Sequence, residues 1–287
     1  MSIIVTGATG QLGGRVVAGL LRAQLEPGQI VALGRDSSKL AALADSTGVH
    51  TRQVDNDDRE AVHAALRGAK QVLLISGAVP GARVEQHRNV IDAAAAAGAQ
   101  RIVYTSVLGV EHSSLPIAPD HQATERLIAE SGVPAILLRN GWYHENQLPE
   151  AQLAAATGVL LSAAGTGRVA TAAREDYAQA AVAALLGEVE PGAYELSGDH
   201  AWDYREFAAA IAHVTGREIE VREVDRAELR AGLVAGGFPE PYADFLAGIH
   251  EQIAAGALAD APGTLARIIG RPTTPFVDAL SGVSVPA

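Results

Sequence analysis

Two hydrophobic periods alternate along this chain. Short apolar runs at Ile3-Ile4-Val5, Gln29 to Leu33, Thr51 to Val54, Lys70 to Ile75, Arg101 to Ser106 and Pro134 to Asn140 are followed by stretches where apolar residues return every three or four positions. Val16, Val17, Leu20 and Leu21 are one such set, Leu40, Leu43 and Ala44 another, and Val62 and Leu66 a third. A short unbroken run reads as a strand covered on both faces, and the longer period as a helix packed on it. Six strands alternating with helices predict βαβ units and a doubly wound parallel sheet of the Rossmann type, α/β in class. Right-handed crossovers then bring six strand ends to one edge, delivering Gly7, Arg35, Asp55, Ser76, Ser106 and Asn140 to one site.

The pattern changes beyond Asn140. Gly141-Trp142-Tyr143-His144-Glu145-Asn146 reads as a loop and Ser162 to Arg168 as a turn-rich stretch. Arg174 to Leu186 is a helix and Ala193 to Leu196 a strand; Asp203 with Glu206 makes a capping box, Gly216 ends that helix, and Ile219 to Val221 is an edge strand. The remainder is helical, broken at Gly236 to Pro239 and Ala261 to Gly263. The expected division is a nucleotide-binding domain over 1–145 and a smaller α/β substrate lobe over 146–287, with about 165–187 returning to the main domain.

The first strand runs into Thr6-Gly7-Ala8-Thr9-Gly10-Gln11-Leu12-Gly13, with its glycines spaced GxxGxxG at a helix start. Glycines suit this place because a pyrophosphate on a helix N-terminus needs exposed N–H groups and no Cβ in between. No Lys follows them, which excludes the GxxxxGK[ST] phosphate loop. The second strand ends at Gly34-Arg35-Asp36. An Arg here suits a 2′-phosphate where a carboxylate would accept a 2′-hydroxyl, so NADP is favoured over NAD, with Asp36 placed to cap the next helix. In Asp55-Asn56-Asp57-Asp58, Asp57 or Asp58 caps the following helix and Asp55 is left near the adenine; the cluster lacks the spacing of a calcium loop.

Bulk properties narrow the partners. The 287 residues are 48% hydrophobic and 19% charged, and the formal net charge of −11 opposes binding to nucleic acid or an anionic membrane. There is no cysteine, which removes disulfides, thiol catalysis and thiolate metal sites and fits a cytoplasmic protein. Neither a leader nor a membrane-length apolar run is seen, so neither export nor anchoring is expected. A homodimer is one arrangement open to the chain.

Alcohol-oxidising dehydrogenases with such a loop use a Tyr and a Lys four residues later on one helix. The only lysines are Lys39 and Lys70, preceded at that spacing by Arg35 and Leu66, so the dyad is absent. The helix where it belongs offers His121 and Glu125 one turn apart, either a proton donor steadied by a carboxylate or an ordinary surface pair. Ser106 has no base beside it in sequence and reads as a strand-end hydroxyl or a catalytic candidate. His144-Glu145 and His250-Glu251 begin like HExxH but end in Leu148 and Ala254, so no metal is expected. Without a base, alcohol oxidation is disfavoured, whereas a quinone accepts hydride to give a stabilised anion and a cationic conjugated acceptor needs no proton. Direct hydride delivery to an electron-poor planar acceptor, without flavin or metal, is therefore expected, with Trp142 and Tyr143 as stacking walls.

Thr6 to Gly13, Leu33-Gly34-Arg35, Gln86-His87-Arg88-Asn89-Val90, Tyr104-Thr105-Ser106 and Leu138-Arg139-Asn140-Gly141-Trp142-Tyr143 together resemble the NmrA-like atypical short-chain dehydrogenases. The resemblance runs over nearly the whole chain, including Gly198 to Trp202 and Ile269 to Thr274, and is strongest to quinone-reducing members. Phe238 to Tyr242 and Ala123-Thr124-Glu125 look as much like the dye-reducing ones. It implies that Gly7, Thr9, Gly10, Gln11 and Leu12, Arg35, Ile75-Ser76-Gly77, and Asn140 to Tyr143 contact the cofactor. Regulatory members of the same family bind the dinucleotide without turnover, which leaves a non-catalytic redox sensor as the rival expectation.

Overall fold

A computed structural model describes residues 2–77 and 82–285; Ala78, which the sequence pattern puts just past the end of the fourth strand after Ser76-Gly77, lies outside them. The chain divides into two compact units. The first comprises residues 1–112, 116–140 and 174–195, the second 113–115, 141–173 and 196–287.

In the first unit, strands and helices alternate as β1 (Ile3–Val5), α1 (Gln11–Arg22), β2 (Ile30–Gly34), α2 (Ser37–Thr47), β3 (His50–Gln53), α3 (Arg59–Ala65), β4 (Gln71–Leu74), α4 (Arg83–Ala96), β5 (Arg101–Val107), α5 (Ala118–Glu130) and β6 (Ala135–Asn140). All six expected strands form, in the order β3-β2-β1-β4-β5-β6, and each pairing from β3 to β6 is parallel. Their C-terminal ends therefore share one edge, and the strand order reverses between β1 and β4, where an open α/β sheet has its ligand crevice. Ile3, Ile4, Val5, Val72, Leu73 and Leu74 are all essentially inaccessible, as strands covered on both faces must be.

Unit two begins with α6 (Leu148–Thr157) and β7 (Val159–Ser162), after which the chain returns to the first unit as α7 (Arg174–Leu186) and β8 (Gly192–Leu196). Strand β8 adds to the main sheet beside β6, making seven strands. The returning segment is thus 174–195 where 165–187 was expected, and the chain leaves the first unit at Asn140. Helix α7 has five alanines on its buried side and approaches α1 closely: a Cβ on Gly19 would lie 2.8 Å from Val182 Cγ2.

The second unit continues with α8 (Tyr204–Thr215), β9 (Glu220–Glu223), α9 (Arg226–Ala235) and α10 (Glu240–Ala254). Asp203 accepts from the Glu206 N–H at 2.9 Å while Glu206 accepts from the Asp203 N–H, completing the expected capping box. Strand β9, expected over Ile219 to Val221, forms over Glu220–Glu223 and pairs in parallel with β7, a strand that the sequence pattern did not declare.

Candidate functional site

The glycine loop follows β1 directly. Gly7 takes φ +60°, a left-handed turn that only glycine adopts without strain, and its carbonyl accepts from the Gly10 N–H at 3.0 Å. Gly10 is the N-cap of α1 and supplies no side-chain cap, so the leading N–H groups of the helix are left to an outside acceptor. Gly13 is buried, and a Cβ there would fall 2.3 Å from the Gly7 oxygen and 2.8 Å from the Ala8 Cα. The three glycines thus serve separate ends: turn, open cap, and contact between helix and loop. A shallow groove beside the helix start is lined by Thr9, Gly10, Gln11, Arg15, Arg22 and Glu175. Arg22 meets Glu175 at 2.5 Å. Leu12 faces the core, so only its backbone is available to a ligand.

Around the edge, Arg35 is exposed at the end of β2 and its carbonyl accepts from Gln53 Nε2 at 3.0 Å. Asp36 caps α2 through the Lys39 N–H at 3.0 Å. The acidic cluster after β3 is a folded turn: Asp58 caps α3, Asp55 accepts from the Asp57 N–H at 3.1 Å, and Asp57 accepts from Gln86 Nε2 at 3.0 Å.

The end of β4 is the most tightly held part of the edge. Ile75 N–H donates to Thr6 Oγ1 at 3.0 Å and Ser76 N–H to Thr105 Oγ1 at 2.9 Å. The Gly77 peptide is gripped at both ends, its N–H donating to His87 Nε2 at 3.3 Å and its oxygen accepting from Arg83 Nε at 2.8 Å. Because His87 Nε2 accepts, its proton is on Nδ1, which donates to Thr124 Oγ1 at 2.9 Å; the Thr124 hydroxyl in turn donates to the Asp120 carbonyl. Burial, His121 and Arg83 lower the His87 pKa to about 3. Arg83 was not singled out from sequence, and Thr6, Thr105 and His87 only as parts of the segments Thr6 to Gly13, Tyr104 to Ser106 and Gln86 to Val90. A helix carrying Arg83, Gln86 and His87 on its buried side was the available signal.

The pair expected on α5 does not form. His121 is buried and its Nδ1 lies 2.7 Å from the Tyr104 phenol, while burial, then Arg83, lowers its pKa to about 4. Glu125 turns instead to β6, where Arg139 Nε and Nη2 donate to its two oxygens at 3.1 and 2.8 Å, and it also accepts from Ser106 Oγ at 2.5 Å. A guanidinium fork satisfies both carboxylate oxygens, which one imidazole nitrogen cannot. His121 is therefore neither a surface pair member nor steadied by Glu125, and the Ser106 hydroxyl is committed to a carboxylate. Arg139 also reaches Glu195 and Glu111, at 2.9 and 3.0 Å.

Asn140 closes the edge, and its Oδ1 is buried without a hydrogen-bond partner. A buried acceptor is costly unless something donates to it. This orphaned oxygen, the uncapped helix start and the glycine loop held against the helix at Gly13 all fit a dinucleotide. Within the second unit, Gly141 N–H donates to the Leu196 oxygen and Trp142 Nε1 donates to Gln147 Oε1 at 2.9 Å. Tyr143 is half-buried and forms a bridge with Ala172. His144 is locked between Thr171 Oγ1 and the Thr274 oxygen, and His250 between Tyr204 and Glu150, so both are structural.

Sheet order, glycine loop and strand-end edge define a dinucleotide-binding α/β protein. Residues 7–188 match the NAD(P)H-binding family, and the chain belongs to it. It is 42% identical to quinone oxidoreductase 2 of Escherichia coli K12 over 281 residues, 97% of each chain. It is also similar to the crystal structure of the E. coli NADPH-dependent quinone oxidoreductase complexed with NADPH, with TM-score 0.92 and 41% identity over 98% of this chain and 99% of that one. The triphenylmethane reductase of Citrobacter sp., complexed with NADP(H), matches with TM-score 0.93 and 34% identity over the same shares. The likeness to NmrA-like reductases read from the sequence thus holds.

Proposed function

We propose that this protein is an NADPH-dependent reductase that passes hydride directly to an electron-poor, quinone-like acceptor. The observation that carries this is the state of α5. Where an alcohol-oxidising enzyme needs a proton-transferring dyad, this helix buries a neutral His121 on Tyr104 and commits Glu125 to Arg139. An acceptor whose reduced form is a stabilised anion needs no such group at the moment of transfer. When bound, the reduced nicotinamide supplies the hydride.

The chain's own residues bind and orient. The α1 N-terminus, opened by Gly10, receives the pyrophosphate; Gly13 keeps the loop close enough for backbone contact; and Arg35 receives the 2′-phosphate. Thr6, Thr105, His87 and Arg83 fix Ile75 to Gly77, and Asn140 Oδ1 offers an acceptor to a donor of the cofactor. Asp55 stands beside the adenine in this reading, and Trp142 and Tyr143 contribute to the acceptor end. Holding reactants in one geometry is the whole catalytic contribution. The same reading places the protein in the cytoplasm, consistent with the absence of cysteine, and allows a homodimer.

The test mixes purified protein with NADPH and a panel of quinones and cationic dyes while nicotinamide absorbance is followed. Acceptor-dependent loss of absorbance is expected. Tight NADPH binding with no turnover on any acceptor would establish the redox-sensor reading instead.

A further inference from the structure

The second unit carries a run of aromatic rings that starts at its core, where Phe238 packs, and emerges at the surface with Tyr242 and Phe245. Phe238 and Tyr242 lie with centroids 5.9 Å apart and planes 6° from parallel. Tyr242 and Phe245 follow at 6.3 Å and 21°, and Phe245 and Trp142 at 6.2 Å and 33°. Parallel rings in contact at such centroid distances are offset sideways, so part of each ring face is left uncovered. Tyr242 and Phe245 are 37% and 38% exposed, although burying a ring of this size is normally strongly favoured.

Two further observations say what the surface suits. Tyr242 and Phe245 are spaced i,i+3 on α10, and the next step of that stripe is Gly248. Nothing lies within 4 Å of where its Cβ would be, so no neighbour demands glycine there, although glycine inside a helix costs up to about 1 kcal/mol relative to alanine. The contrast is Gly236, where a Cβ would fall 2.5 Å from Leu153 Cδ2. Gly248 leaves the surface beside Phe245 flat. Along the rim, Glu240 pairs with Arg230 at 2.9 Å, and Asp244 meets Arg226 and Arg230 at 3.7 and 3.6 Å. Both carboxylates that flank the rings on α10 are thus compensated by arginine, which weakens their pull on a cation.

We infer that Trp142, Phe245 and Tyr242 form the binding surface for the acceptor, an uncharged planar molecule of at least two fused conjugated rings. A single ring covers one of these faces, whereas a fused system reaches two. The identity of the ligand as the hydride acceptor rests on the reductase reading above; the binding surface itself does not.

The experiment measures KM for a two-ring naphthoquinone, for a one-ring benzoquinone and for NADPH in the wild type, Phe245→Ala, Phe245→Tyr and Gly248→Leu. Circular dichroism verifies that each variant is folded. Losing one stacked ring should raise the naphthoquinone KM about five- to tenfold, with benzoquinone and NADPH changed less than about twofold. Gly248→Leu should act in the same direction by obstructing the face, and Phe245→Tyr, which keeps the ring, should stay near wild type. An unchanged naphthoquinone KM in folded Phe245→Ala, or equal shifts for both quinones, would overturn the assignment. If the wild type oxidises no NADPH with any quinone, the reductase reading falls, and equilibrium dialysis with naphthoquinone decides the surface by itself. Binding to wild type that is lost in Phe245→Ala keeps it; absent or equal binding removes it.

Discussion

The Tyr104 phenol lies 2.7 Å from His121 Nδ1, with both side chains buried, and this contact pairs a neutral imidazole with a neutral phenol. Burial raises the Tyr104 pKa and lowers that of His121 to about 4, so the proton stays on the phenol through the neutral range. The consequence for stability has a definite sign. The unfolded chain titrates near pH 6.5 and the folded one near 4, so the unfolded state binds more protons in between. The contribution is complete above about pH 6.5 and is lost as pH falls towards 4, with His87 adding to the loss towards pH 3. Urea unfolding at pH 4.5 should give a free energy lower than at pH 7.5 by about 2 kcal/mol from His121 alone. His121→Gln should remove about half of the dependence, because His87, depressed further, loses a similar amount over the same window; an unaltered pH dependence would refute the assignment.

Arg139 is the charge at the centre of Glu125, Glu195 and Glu111, with its own side chain and that of Glu125 only 11% exposed. Removing it strands a largely buried carboxylate. Arg139→Met should destabilise the fold by about 3 kcal/mol in denaturant titration, whereas Ser106→Ala, which removes one neutral donor to the same carboxylate, should cost about 1 kcal/mol. Equal losses would mean that the ion pair is not what holds β6 to α5.

Gly13→Ala places a Cβ 2.3 Å from the Gly7 oxygen, a distance backbone atoms cannot absorb without moving the loop. Calorimetric titration should show weaker NADPH binding by tenfold or more, on the order of 1.4 kcal/mol, together with a lowered Tm. Gly14→Ala is the control, since its Cβ would sit at an ordinary 3.6 Å from the Ala8 oxygen, and it should leave both nearly unchanged.

Cofactor choice is tested at Arg35 and Asn140. Arg35→Ala should raise Kd for NADPH about tenfold while leaving NADH within twofold, as loss of a charge-assisted phosphate contact predicts. Asn140→Ala should instead weaken both dinucleotides alike, because its orphaned oxygen is read as serving a part of the cofactor that the two share. Interchanged patterns would reverse the two assignments.

Amino-acid order by itself determined the alternation of six strands with helices, the glycine turn, the caps at Asp36 and Asp203 and one at Asp57 or Asp58, and the absence of a Tyr/Lys dyad. These depend on neighbours within a few positions, where spacing and side-chain type settle the outcome. The run Val159–Ser162, which leads straight into the turn-rich stretch from Ser162, did not declare itself a strand and became β7 by pairing with β9, some sixty residues on. Partner choice likewise belonged to the tertiary structure. His121 and Glu125 stand one turn apart, which offers a pair, but packing α5 on β5 and β6 presented the carboxylate with Arg139 and the imidazole with Tyr104. The grip of His87 and Arg83 on Gly77 and the line of rings from Trp142 to Phe238 arise in the same way. Periodicity says which face of an element is buried, and only the folded chain says which groups from distant elements meet there and compete for one another.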